Sequence, residues 1–238
     1  MLTVSETGLM KTGCSGCTSV IMTNKEWFGM ESTRHTPLIM MAGNVAAGKS
    51  TLASALAKQL GWAYSEESVR DNPFLERFYA DTSSWAFHLN MFFLASRSQE
   101  ILRARERQIP TVFDRSIYED RLFVQINFED GATPPENYRV FTDLQDVLET
   151  LLPPPSVLVH VHAPVDELLQ RVRARDRPYE LGISRDYLTR LEEKYDSWLS
   201  TYDLSPILRV DTTKANLSTD EASIRALGRE ILSAANPC

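Results

Sequence analysis

The chain has 238 residues, 43% hydrophobic and 24% charged, enough for one α/β domain with a full core or two small ones. A formal net charge of −7 argues against broad nucleic-acid affinity, which needs a basic footprint, but leaves room for a local arginine cluster around a small anion. No apolar run approaches the roughly 20 residues of a membrane helix. The three cysteines, Cys14, Cys17 and Cys238, lie near the ends, so the fold needs no disulfide and a reducing cytoplasm fits.

Residues 1–36 mix Ser, Thr, Gly, Met and charges without a helical or strand period, and read as a flexible extension ahead of a single domain over 37–238. Glu6, Glu26 and Glu31 weaken a transit-peptide reading. Cys14 and Cys17 have redox or zinc spacing but no second ligand pair, and read as incidental. Pro37–Ala42 is then an apolar run of buried-strand length.

Gly43-Asn44-Val45-Ala46-Ala47-Gly48-Lys49-Ser50 follows at once and reads G-x-x-x-x-G-K-S, the phosphate-binding loop. Its glycines let backbone N–H groups fold round an anion, Lys49 supplies a point charge for the β- and γ-phosphates, and the Ser50 hydroxyl can hold Mg²⁺. Leu52, Ala55, Leu56 and Leu60 recur at helical spacing, with Gly61 as the stop. Strand, glycine loop and helix aim a helix N-terminus at phosphate.

Residues 62–64 form a short strand ending in Ser65-Glu66-Glu67. A helix is predicted over 72–80 with Pro73 in its first turn, and a long one over 84–108. Thr111-Val112-Phe113 is a strand ending at Asp114, and 117–129 and 136–151 read as helices. Residues 157–161 form a buried strand, in which His160 and His162 read as strand residues rather than metal ligands. Helices at 164–175 and 184–202, a strand at 207–210 and a terminal helix complete the chain. The expectation is a P-loop NTPase-type three-layer α/β fold, with a five-stranded parallel sheet flanked by helices and an arginine-rich lid.

In such sheets ligands gather at the carboxyl ends of the strands. Glu66, Glu67, Asp114, Arg115 and the phosphate loop all fall there. A carboxylate beside a triphosphate can take a proton from an attacking hydroxyl or hold magnesium. Arg171, Arg173, Arg175 and Arg177 end a helix, and as a lid could close over the triphosphate, neutralise the phosphoryl group in flight and exclude water. Their odd spacing spreads them round the helix, so not all reach inward.

Five motifs in one order resemble the deoxynucleoside kinase family, bacterial deoxyadenosine/deoxyguanosine/deoxycytidine kinase type: GNVAAGKST at 43–51, ESVRDNPFLERFY at 67–79, WAFHLNMFFLASR at 85–97, FDRSIYED at 113–120 and RVRARDRPYE at 171–180. The resemblance implies an ATP- and Mg²⁺-dependent kinase in nucleotide salvage, acting on a deoxynucleoside 5′-hydroxyl, cytoplasmic and homodimeric, with no nucleic-acid or membrane partner. The loop residues Gly43 to Ser50, with Thr51, would bind ATP together with the lid arginines Arg171, Arg175 and Arg177. Arg173 falls at a variable position. Glu67 matches the carboxylate that takes the 5′-hydroxyl proton, Arg115 the residue that holds it and the phosphoryl group, and Asp114 the acidic residue assisting Mg²⁺ with Ser50. Tyr79 and Glu180 match the pair on the sugar 3′-hydroxyl.

Asn90 stands where most members place a glutamine on the base, with the same donor and acceptor but one methylene shorter. Arg97 and Asp120 match a pair seen in members that accept purines and deoxycytidine. Deoxyadenosine is the first expectation as acceptor, with deoxyguanosine and deoxycytidine close behind. A nucleoside monophosphate kinase would need further cations near Glu67, for which Arg70 and Arg77 are the candidates. A non-catalytic nucleotide-binding module is the other alternative.

Overall fold

The computed structural model describes residues 36–67, 72–177, 180, 182–214 and 220–235. The readings placed on the extension before residue 36, on Cys14, Cys17 and Cys238, and on Arg70 concern residues outside this set. In chain order the described elements are β1 Leu38–Ala42, α1 Lys49–Leu60, β2 Ala63–Ser65, α2 Leu75–Ala80, α3 Thr82–Arg107, β3 Thr111–Phe113, a 3₁₀ turn Ile117–Glu119 and α4 Asp120–Glu129. Then come α5 Pro135–Leu151, β4 Val157–His162, α6 Val165–Ala174, α7 Arg185–Thr201, β5 Ile207–Asp211 and α8 Glu221–Ala235.

The strands lie in the order β2-β3-β1-β4-β5 and every pairing is parallel. The central strand β1 is buried along its whole length, as a strand covered on both faces must be, which is why its sequence is a continuous apolar run rather than an alternation. Leu38, Met40 and Ala42 face a core built with α3, α4, α5 and α7. Ile39 and Met41 face the opposite core, with α1 and α8. This is the three-layer arrangement expected, and no helix among the described residues is long and apolar enough to cross a membrane.

The differences from the sequence reading are local and have visible causes. The first short helix begins at Leu75 rather than 72, because the Asn72 side chain accepts from the Phe74 N–H at 2.9 Å and makes a turn of its own. The long helix begins at Thr82, since Asp81 is the cap and accepts from the Ser84 N–H at 3.2 Å. The helix expected over 117–129 is split. Ser116 and Glu119 form a reciprocal capping box round a 3₁₀ turn, and the α-helix starts only at Asp120. Gly61 closes α1 in the left-handed conformation, its N–H reaching Ala57 O and Lys58 O.

Candidate functional site

The strand order places three carboxyl ends side by side. β1 runs out into the glycine loop, its neighbour β3 into Asp114 and Arg115, and the next strand, β2, into Glu66 and Glu67. Gly43 opens the loop at φ +147°, and a Cβ there would stand 2.1 Å from the Val161 carbonyl oxygen of β4. No other residue fits so close an approach at that dihedral. The Lys49 ammonium is buried inside the loop and donates to Gly43 O at 2.8 Å and Asn44 O at 2.6 Å. Burial, and then the nearby charge of Arg115, push its pKa down to about 7.

Asn44 is used within the protein. Its side-chain amide donates to Leu188 O and Glu192 Oε2 of α7, both at 2.9 Å, and its oxygen accepts from the Val45 N–H at 2.8 Å. Ser50 and Thr51 are exposed at the start of α1. Ser50 acts on the buried Asp114 carboxyl, which burial raises above its usual range while the Ser50 hydroxyl pulls it back. Asp114 Oδ2 accepts from the Tyr64 hydroxyl at 3.3 Å, and Oδ1 has no partner.

Beside the loop, Glu67 meets two guanidinium groups. Its Oε1 lies 2.6 Å from Arg97 Nη2 and 3.2 Å from Arg115 Nε. Burial alone would raise the carboxyl; Arg115, then Arg97 and Lys49, outweigh it and hold the pKa at about 2. Arg97 bonds Asp120 through its other terminal nitrogen and lies over the Phe93 ring, 4.8 Å from its centroid. Arg115 lies 5.0 Å over Phe123 and reaches Glu119 Oε1 at 3.2 Å. Ser65, Glu66, Ser96, Glu100 and Phe113 complete the wall of the pocket formed by Glu67, Arg97 and Arg115.

The other expected residues sit further out. Asn90 is 8% exposed and its amide nitrogen has no partner. It lies seven residues before Arg97 on one face of α3, a rise of about 10 Å. Tyr79, on α2, is 40% exposed, with its ring edge-on to Phe78. Glu180 is buried and held by Arg177 at 3.1 Å and Arg175 at 3.3 Å. Arg171 turns the other way, donating to Thr212 Oγ1 at 2.8 Å and Ala47 O at 3.3 Å, which ties the back of the phosphate loop to the end of β5. Arg173 is exposed.

Two residues at the centre escaped the sequence reading. Glu119 is fully buried and accepts from the Gly43 N–H at 2.9 Å. The equally buried Tyr195 contacts that carboxylate and the Gly43 carbonyl oxygen. Ser116-Ile117-Tyr118-Glu119 is a capping-box pattern that could have drawn attention to Glu119. Tyr195 carries no such signal, since it occupies an ordinary core position of an amphipathic helix. His160 and His162 lie in β4 with their rings stacked 5.6 Å apart.

A magnesium ion fits the donors present. The unpartnered Asp114 Oδ1 and the exposed Ser50 hydroxyl are hard oxygen ligands. No group of three His, Cys, Asp or Glu placed to hold a metal ion occurs among the described residues, so the ion would rely on phosphate oxygens and water for the rest of its shell.

The profile of the deoxynucleoside kinase family matches residues 39–234. A deoxyadenosine/deoxycytidine kinase of Bacillus subtilis (strain 168) is 37% identical over 199 residues, covering 82% of this chain and 92% of that one. A deoxyguanosine kinase of Lactobacillus acidophilus is 37% identical over 194 residues, covering 78% and 85%. Among solved structures, a deoxyadenosine kinase from M. mycoides with the products dCMP and a flexible dCDP bound superimposes with a TM-score of 0.70 at 25% identity, covering 82% of this chain and 98% of that one.

Proposed function

The chain belongs to the deoxynucleoside kinase family and is an ATP-dependent deoxynucleoside kinase; on that premise we propose how its residues divide the work and which acceptor it prefers. Glu67 is the carboxylate that receives the proton of the attacking 5′-hydroxyl. The single observation carrying this is its position between Arg97 and Arg115, beside the loop that holds Lys49. At a pKa of about 2 it is ionised at every working pH. It is therefore a weak base, suited to a loose transition state in which the hydroxyl loses its proton late.

The backbone of 43–51 cradles the donor phosphates, Lys49 turns from the Gly43 and Asn44 carbonyls to the β- and γ-oxygens, and Arg115 bridges Glu67 and the transferring group. Ser50 and Asp114 would hold Mg²⁺, which when bound would neutralise charge on the donor phosphates. Arg171, Arg175 and Arg177 close on the phosphates, which requires the first to leave Thr212 and the last two to leave Glu180. Glu180 is thereby released to work with Tyr79 on the sugar 3′-hydroxyl.

Asn90, Arg97 and Asp120 read the base, and deoxyadenosine is the preferred acceptor, ahead of deoxyguanosine and deoxycytidine. The buried, unpartnered amide of Asn90 supports a polar contact with a base edge. A monophosphate acceptor is disfavoured, because Glu67 would repel its phosphate and Arg77 lies over Trp85, 4.8 Å from the ring centroid. The enzyme acts as a cytoplasmic homodimer. Val140, Leu144, Val147 and Leu151 form an exposed apolar stripe along α5, at the spacing a helix–helix contact uses.

The deciding experiment measures kcat/KM for the four deoxynucleosides and for dAMP with ATP and Mg²⁺. Deoxyadenosine should lead. A dominant rate on dAMP would replace this reading with a monophosphate kinase, and ATP binding without turnover on any nucleoside would leave only a binding module.

A further inference from the structure

The two oxygens of Glu119 face different halves of the site. Oε1 lies 3.2 Å from Arg115 Nη1, on the side of the acceptor carboxylate. Oε2 takes the Gly43 N–H at 2.9 Å, on the side of the donor loop. The other end of that residue is held as well: the Gly43 carbonyl accepts from the Tyr195 hydroxyl at 2.8 Å and from Lys49 Nζ at 2.8 Å. Tyr195 also contacts Glu119 Oε2, so carboxylate, phenol and the first residue of the loop form a closed ring of polar contacts with no exposure to solvent. Such a network is stiff when complete and costly when one member is removed.

Tyr195 does not act from an isolated position. Leu188, Glu192 and Tyr195 are spaced four and three residues apart, on one face of α7. The first two hold the Asn44 side chain, and the third holds Gly43. The helix thus grips consecutive loop residues, while the 3₁₀ turn carrying Glu119 grips the first of them.

We propose that Glu119 and Tyr195 are positioning residues for phosphoryl transfer, tying the first residue of the phosphate loop and the Arg115 guanidinium to one shared carboxylate, so that donor cradle and acceptor carboxylate keep a fixed spacing. It rests on the reading of Glu67 as proton acceptor only for its acceptor half. Misplacement of reacting groups by about 1 Å costs on the order of a hundredfold in rate. A buried brace that touches neither substrate can therefore control turnover.

The test is steady-state kinetics of Tyr195→Phe and Glu119→Gln, with binding of a non-hydrolysable ATP analogue measured by calorimetry and Glu67→Gln run alongside. Both variants should lower kcat/KM for ATP by about tenfold or more and weaken analogue binding, while KM for deoxyadenosine stays within about twofold. An unchanged kcat/KM for ATP overturns the proposal, as does a loss expressed equally in the deoxyadenosine KM. Should Glu119→Gln fail to fold, Tyr195→Phe, which removes a single oxygen, decides alone. If Glu67→Gln keeps full turnover, the base assignment falls, while weaker analogue binding by Tyr195→Phe still upholds the brace on the donor side.

Discussion

The Lys49 ammonium and the Gly43 carbonyl oxygen are 2.8 Å apart, so the one cation inside the phosphate loop is bonded to the loop's own backbone. It is also held at a pKa of about 7 by burial and by Arg115. An unfolded lysine keeps its proton up to about pH 10.5. Its burial therefore weighs fully against the fold below pH 7, and that penalty fades as pH rises from 7 to 10.5.

ATP reverses the preference, since the phosphates stabilise the charged ammonium. Nucleotide binding should take up close to one proton per site at pH 8 and far less at pH 6. Calorimetry in buffers of different ionisation enthalpy measures this directly. Lys49→Arg, which cannot titrate in this range, should abolish the uptake at pH 8.

Glu67→Gln keeps the shape of the side chain and removes its proton affinity. Turnover should fall by about 10²- to 10⁴-fold with the deoxynucleoside KM little changed. The wild-type pH profile should show no limb from this group between pH 5 and 8, because its folded pKa of about 2 lies below the ordinary 4.5. For the same reason, its contribution to stability is complete above pH 4.5 and is lost as pH falls through 2.

Asn90→Leu separates activity from stability. Deleting a buried amide whose nitrogen has no partner should leave the melting temperature unchanged or raise it. The same change should cost about ten- to a hundredfold in kcat/KM for deoxyadenosine, with the ATP KM untouched. Thermal melts and a two-substrate kinetic grid read both arms, and equal activity of the variant would remove Asn90 from the base site.

Gly43→Ala places a methyl group 2.1 Å from Val161 O at a dihedral that disfavours any side chain. Overpacking of this kind costs about 1–3 kcal/mol, or a drop of roughly 2–12 °C in Tm for a chain of this size. ATP analogue binding should be lost with it.

Charge on the α5 stripe tests the proposed dimer. On the proposed homodimer, Leu144→Glu with Val147→Glu should yield a monomer by sedimentation, because two exposed apolar positions of the proposed contact become like charges facing their copies.

Much of this was legible in the chain because the signals are local. The eight residues from Gly43 to Ser50 declare their backbone, and the continuous apolar runs of 38–42 and 157–161 declare strands buried on both faces. The convergence of Glu67, Asp114 and Arg115 on the loop follows from their places just after strands. The rest depends on contacts far apart in sequence. Glu119 lies 76 residues from Gly43 on one side and 76 from Tyr195 on the other, and neither spacing leaves a pattern. The arginine run expected to act as a lid illustrates the same limit. Four evenly spaced arginines look alike in sequence, yet Arg171 packs against Thr212 and the loop while Arg175 and Arg177 pair with Glu180. Helix starts were missed where a side chain made its own turn, as Asn72 does with Phe74 N–H.

The guanidinium of Arg97 lying across the Glu67 carboxylate bears on what happens before any sugar arrives. A stray solvent molecule in the pocket meets a carboxylate already neutralised, with too little affinity for hydrogen to sharpen it into an attacking hydroxide. With Glu67 in the proposed role, wasteful hydrolysis of the nucleotide is thereby discouraged until an alcohol is seated against the phosphoryl group, where a loose transition state asks little of the base.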